Sequence, residues 1–192
     1  MGTAEDASAL EPLRFPLHGS RLIEASAGTG KTYTIAALYL RLVLNHGGEA
    51  AFGRSLTPPQ ILVVTFTEAA TRELRERIRS RLAEAAAVFR DPDQAVELDP
   101  FLDGLLQAYP QHSERAQAAR VLELAAEWMD EAAVATIHAW CYRMLREHAF
   151  DSGSLFTQDL ETDPGDLLAE SVRDYWRTFV YPLDPAAFQL FR

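Results

Sequence analysis

The sequence predicts an α/β fold: a parallel sheet with helices on both faces, interrupted by a mainly helical insertion. Three observations carry this. A short apolar run, Leu22-Ile23-Glu24-Ala25, enters a Gly-rich turn and then an amphipathic helix. A continuous run, Ile61-Leu62-Val63-Val64, precedes a long helical pattern. A third run, Ala132 to Ile137, again precedes a helix. Strand and helix alternating in this way build a parallel sheet, with a helical segment between the second and third strands.

Residues 1–20 read as a lead-in, with Pro12, Pro16 and Gly19 as breakers. After the first strand, Ile35, Leu38, Tyr39, Leu42 and Val43 recur at helical spacing and mark the expected buried face. Asn45-His46-Gly47-Gly48 stops that helix. Residues 47–60 are a loop. The run 61–64 is unpatterned, as expected of a strand covered on both faces. Thr65-Phe66-Thr67 ends it, and Ala70, Leu74, Ile78, Leu82 and Phe89 mark the apolar side of the next helix. Asp91 to Pro100 is an acidic break, followed by helices over about 100–109 and 113–129. After the third strand, Ile137, Trp140, Cys141, Met144, Leu145 and His148 share one helical face, and Asp151-Ser152-Gly153-Ser154 ends it. A last helical patch lies near 166–180. The expected division is a lead-in over 1–20, a main lobe over 21–90 and 131–150, and an inserted helical part over 91–130 and 151–192.

The 192 residues are 48% apolar, enough for a real core. A net charge of −10 speaks against a protein that coats nucleic acid or anionic membrane. The average hides a split, however: residues 12–90 carry +5 and residues 91–192 carry −12. Such asymmetry points to nucleic-acid contact by one part of the chain. Lys31 is the only lysine, beside seventeen arginines. The single cysteine, Cys141, excludes an internal disulfide and a cysteine zinc cluster, and reads as a packed core thiol. The acidic start is unlike a signal peptide and no run is long enough to span a membrane, so a soluble cytoplasmic protein is expected.

The chemistry concentrates in Ala25-Ser26-Ala27-Gly28-Thr29-Gly30-Lys31-Thr32, which matches the phosphate-loop pattern G-x-x-x-x-G-K-[ST] at all but its first position. Gly28 and Gly30 let the backbone curl and aim its N–H groups at phosphate oxygens. The helix opening at Lys31 points its N-terminal dipole at the same anion. Lys31 is placed to reach the β- and γ-phosphates, and the Thr32 hydroxyl to bind Mg²⁺. The bland alternative, a chance Gly-rich turn, is weak for a motif set between an apolar run and an amphipathic helix.

A second constellation, Thr65-Phe66-Thr67-Glu68-Ala69-Ala70-Thr71-Arg72-Glu73-Leu74, sits at the carboxyl end of the second strand, the edge where open parallel sheets bind ligands. Hydroxyls, a Phe and a helix start there suit a sugar–phosphate backbone and a stacked base. Arg72, Arg75, Arg77, Arg79 and Arg81 follow; a solvated face with pairs such as Glu73–Arg77 is an equal reading for the last four. A third, Thr136-Ile137-His138-Ala139-Trp140-Cys141, ends the third strand. There His138 either contacts nucleic acid or sits half-buried behind a helix-capping Thr136.

In this order the three pieces resemble the front end of a superfamily 1 helicase of the UvrD/Rep type, with Trp140 where that family has Phe. The resemblance implies a RecA-like P-loop NTPase lobe, here incomplete. It implies that Ala25, Ser26, Ala27, Gly28, Thr29, Gly30, Lys31, Thr32 and Tyr33 hold ATP, with Lys31 and Thr32 catalytic and Thr32 on Mg²⁺. It places Thr65, Phe66, Thr67, Ala70, Arg72, Thr136 and His138 on DNA, single-stranded or at a duplex end. It further implies unlike partner subunits in a larger complex. Two features depart from the family: Tyr33 stands where an Arg follows the GKT, and no upstream adenine-reading Gln is found, so adenine preference comes from the resemblance alone.

Hydrolysis needs an apolar strand ending in Asp-Glu. Trp128-Met129-Asp130-Glu131 is the one candidate, but a helical pattern precedes it and it lies before a strand rather than ending one. An arginine finger and a nuclease carboxylate cluster are also missing. The expectation is a truncated helicase piece that does not unwind DNA. A self-contained small P-loop NTPase or kinase, and a non-catalytic docking module with a vestigial phosphate loop, stand as alternatives.

Overall fold

The computed structural model describes residues 10–26, 28–94, 97–149 and 163–184. Ala27, the helix stop at 151–154 and both chain ends lie outside these. The elements are α1 (Lys31–Leu44), β1 (Val63–Thr65), α2 (Glu68–Arg90), α3 (Pro100–Gln107), α4 (His112–Glu127), β2 (Val134–Thr136), α5 (Ile137–Glu147) and α6 (Gly165–Tyr175). The fold is mostly helical with a small parallel sheet. The chain forms two compact units, Met1–Cys141 and Tyr142–Arg192. No described helix is long and apolar enough to cross a membrane.

Local chemistry sets the helix ends. Asn45 closes α1 in the left-handed conformation (φ 51°), which its short polar side chain tolerates. Thr67 caps α2, its hydroxyl accepting from the Ala70 N–H. Asp99 caps α3 with Pro100 in the first helical position, where its missing N–H costs nothing.

The first unit has one core. Tyr39, Leu40 and Val43 of α1 meet Ile78, Leu82 and Phe89 of α2, Leu102 and Leu105 of α3, Leu122 of α4, and Met129. α2 packs most extensively on α4 and then on α1. The 91–130 stretch therefore shares its core with α1 and α2.

The sheet is smaller than expected, and it is consistent with an incomplete α/β lobe. Only β1 and β2 form a ladder among the described residues, parallel and in the register Val63↔Val134, Val64↔Ala135, Thr65↔Thr136. The expected first strand, 22–25, has no regular structure, and Leu22 is 84% exposed. A strand exists only through ladder bonds to a neighbour, and this run has none. Among the described residues, helices do not cover both faces of this sheet. Ile61 is buried while Leu62 (43% exposed) and Val64 (41%) face outward, so β1 is covered on one side only.

Two helix faces shift with it. In α1 the buried residues are Ala36, Ala37, Tyr39, Leu40, Arg41 and Val43, whereas Ile35 is exposed. In α2, Thr71 is buried and Ala70 is exposed. Cys141 is exposed, not a core thiol, because α5 buries no residue. Its apolar face lacks a covering element among the described residues.

Arg41 is the largest fully buried side chain. Its guanidinium donates to Pro12 O (2.6 Å), Phe15 O (2.6 Å) and His46 O (3.3 Å). One side chain thus ties the lead-in to α1.

In the second unit, α6 continues into a wider π-type turn, Trp176–Val180. The rings of Tyr175 and Phe179 lie 5.1 Å apart, and Val180 is buried.

Candidate phosphate-loop and nucleic-acid site

Gly28 (φ 80°) and Gly30 (φ 83°) both adopt backbone that L side chains rarely enter, which is why glycines stand there. Thr29 tightens the turn through its hydroxyl, which donates to Ser26 O at 2.8 Å. Gly30 caps α1 with no side-chain partner, and the first intrahelical bond runs from Thr34 N to Gly30 O at 2.9 Å. The N–H groups of Lys31, Thr32 and Tyr33 are thus the unspent donors of the first turn. Lys31 folds back over the loop, its Nζ donating to Ala25 O (3.1 Å) and Ser26 O (2.8 Å). A cavity of about 600 Å³ opens beside these groups, walled by Ile23, Ala25, Ser26, Thr29, Lys31, Tyr33 and Ile35 among others. Free N–H donors, an ammonium and a helix N-terminus around one cavity fit a polyphosphate. The Thr32 hydroxyl could supply one oxygen to a cation. No cluster of three or more His, Cys, Asp or Glu able to hold a metal occurs among the described residues.

Tyr33 is tied to Asp99, which sequence reasoning did not single out, and to Arg81 of the α2 arginines. Its hydroxyl donates to Asp99 Oδ1 at 2.7 Å, and the Arg81 guanidinium lies 5.2 Å from its ring centroid. Arg81 pairs with Asp99 Oδ2 and, at 2.8 Å, with Glu84. Partial burial, then the bond to the Asp99 carboxylate, pushes the Tyr33 phenol up to about 12. These bonds hold the Asp99 carboxyl below the usual range even though its burial works the other way. The pair Asp99-Pro100 carries a local cap signal, but nothing local connects it to Tyr33.

At the carboxyl ends of β1 and β2, Thr65 and Thr136 are direct ladder partners. The Thr65 and Thr71 hydroxyls lie 2.6 Å apart, each within 3.1 Å of Thr67 O. Thr136 accepts from Ala139 N at 3.2 Å, capping α5, and donates to Glu68 at 3.3 Å. These hydroxyls thus hold the two strand-to-helix turns in place. Phe66 projects beyond them at 89% exposure, and Thr67, Ala70, Arg72 and His138 are exposed around it. Replacing Thr67 by Ala should remove the α2 cap at a cost of about 1 kcal/mol, read as a lower urea midpoint with unchanged m-value.

The arginines of α2 divide. Arg75 donates to Val134 O at 2.7 Å and holds β2; Arg79 pairs with Asp130; Arg77 pairs with Glu73 at 2.9 Å. With Arg81 in the Tyr33 cluster, Arg75 to Arg81 all have partners within the chain. Arg72 is exposed and forms no ion pair among the described residues. Trp128–Glu131 is a 3₁₀ turn before β2, with Asp130 on Arg79.

A Gly-rich phosphate loop opening a helix, with a parallel ladder whose carboxyl end carries an exposed Phe and helix caps, is the framework of a P-loop helicase lobe. The profile of the UvrD/REP helicase N-terminal domain matches residues 6–180, and the chain belongs to that family. It is 54% identical over 178 residues to the RecBCD enzyme subunit RecB of Escherichia coli, covering 92% of this chain and 14% of that protein. It is 46% identical to the Haemophilus influenzae RecB subunit, over 91% of this chain and 14% of that protein. Against the Mycobacterium tuberculosis H37Rv RecB subunit the figures are 33%, 80% and 13%. The chain thus spans about one-seventh of the length of these curated relatives.

Proposed function

We propose that this chain is the nucleotide-gripping N-terminal segment of a RecB-like DNA helicase and exonuclease subunit. The observation that carries the reading is the phosphate loop: two left-handed glycines, a first helical turn of free N–H groups, and Lys31 over the cavity. In the complete subunit, ATP hydrolysis would drive 3′→5′ movement on single-stranded DNA, entered from a duplex end, in double-strand break repair and recombination. RecC- and RecD-like subunits are the proposed partners, since the relatives are named as subunits of a RecBCD enzyme. Ala25 to Tyr33, with Ala27 taken from the motif alone, would hold ATP, and Thr32 would hold Mg²⁺. Phe66, Thr67, Ala70, Arg72 and His138 would line the DNA track, with Thr65 and Thr136 bracing its floor.

The 192 residues alone are proposed to bind nucleotide weakly and to neither turn it over nor unwind DNA. A single lobe supplies one wall of the cleft, and no acidic pair ends a strand among the described residues. The expected result is no phosphate release above background with ATP, Mg²⁺ and single-stranded DNA, and no strand separation on a duplex with a 3′ tail. Turnover that disappears on Lys31→Ala would show that these residues carry a complete hydrolytic site.

A further inference from the structure

We propose that a cleft between the end of α1 and the start of α4 receives an arginine side chain presented by a partner protein. The cleft has a volume of about 310 Å³. Leu44, Ala118 and Val121 give it apolar wall, and Ser55, Tyr109, Glu114 and Gln117 give it polar groups. Leu44 ends α1 and Lys31 begins it, so about 20 Å of helix separates the cleft from the phosphate loop.

The charge in the cleft has one sign. Glu114 lines it, and no Lys, Arg or His does. Among the described residues the Glu114 carboxylate forms no ion pair, and the Tyr109 hydroxyl and the Gln117 amide have no hydrogen-bond partner. Burial, and then the Glu114 charge, pushes the Tyr109 phenol up, so the field of the carboxylate reaches that hydroxyl. Unspent acceptors in a negative field call for a cation rich in donors. A guanidinium offers five N–H groups in a fixed fork, and its aliphatic stem can lie on the apolar wall. Residues 91–192 carry −12, which attracts a basic partner to this part of the chain.

The cleft is shaped before any partner arrives. The Tyr109 ring packs edge-on against Phe89, centroids 5.2 Å apart, and lies 6.3 Å from His46. The loop bearing Ser55 is pinned by Leu56 N to Leu42 O at 3.1 Å and by Gly53 N to the Asn45 side chain at 3.0 Å. Walls ordered in advance spare the entropy of shaping the site on binding. The volume lies at the lower end of the roughly 300–1,000 Å³ range of ligand pockets, room for one side chain. Ser55 and Gln117 are exposed and offer donors and acceptors to the backbone on either side of that residue.

The test titrates the 192-residue chain with an acetylated, amidated tripeptide of alanine, arginine and alanine, followed through the methyl NMR signals of Leu44, Ala118 and Val121. Saturable shifts are expected there, with a Kd of about 1 mM. The same peptide with citrulline, an uncharged isostere, should bind about fivefold more weakly. Glu114→Gln should weaken the arginine peptide by about three- to fivefold, the scale of an exposed ion pair, and leave the citrulline peptide unchanged. Tyr109→Phe, which keeps the ring packing, should cost about twofold. Propylguanidinium, the side chain without its peptide, should bind at least about threefold more weakly than the peptide. Equal binding of the citrulline peptide, an unchanged affinity in Glu114→Gln, or shifts that spread over the acidic surface without saturating would each overturn the site. Propylguanidinium binding as well as the peptide overturns the assignment to a polypeptide partner.

Discussion

Lys31→Ala should lower the affinity of the chain for ATP, and equally for tripolyphosphate, by about a hundredfold, the scale of a lost charge-assisted contact. The ammonium is the one side-chain cation in the phosphate loop, and its present partners are the loop's own carbonyls, Ala25 O and Ser26 O. A phosphate would exchange those neutral acceptors for charged ones, so the gain falls on the anion. Lys31→Arg should recover little, since a planar guanidinium cannot occupy the compact space of an ammonium between two carbonyls. Titration of both variants with both ligands checks this. A loss below threefold in Lys31→Ala would mean that the backbone N–H groups alone hold the phosphates.

The largest effect on stability is expected at Arg41. Replacing it by Ala should cost about 3–5 kcal/mol, because it removes the donor serving three backbone carbonyls and leaves a cavity. Pro12 and Phe15 would lose their tie to α1, and His46 O its partner. The pocket is tightly shaped: a Cβ on Gly47, whose φ is +123°, would stand 2.3 Å from the Arg41 Nη2. Burial and then the Arg41 charge hold His46 below its usual range, so it does not compete as a second cation. Urea unfolding followed by circular dichroism reads the loss, and a change under 1 kcal/mol would show the lead-in to be held by apolar contact alone.

Local signals account for most of what could be read in advance. The phosphate loop, α1, the α2 start at Thr67 and the Asn45 stop are each specified within a few residues by glycine, cap and period. The run at 22–25 misled because strand formation depends on a neighbour, which apolar composition does not reveal. The continuous apolar run at 61–64 suggested two covered faces, yet Leu62 and Val64 are open. Hydrophobicity measures what a strand could bury, not what lies beside it. The arginines of α2 were ambiguous for the same reason. Arg75 finds Val134 O, 59 residues away, and Arg79 finds Asp130, 51 away. The Tyr33–Asp99 bond spans 66 residues and lies beyond any periodicity argument.

That the chain has one lysine gives the Lys31 contacts a practical side. Amine-acylating reagents have a single side-chain target in this protein, and it sits in the phosphate loop. A fluorophore or an isotope-labelled methyl group attached at a lysine side chain of this chain would report from that loop. The site carries its own address for selective labelling, with no need to engineer one.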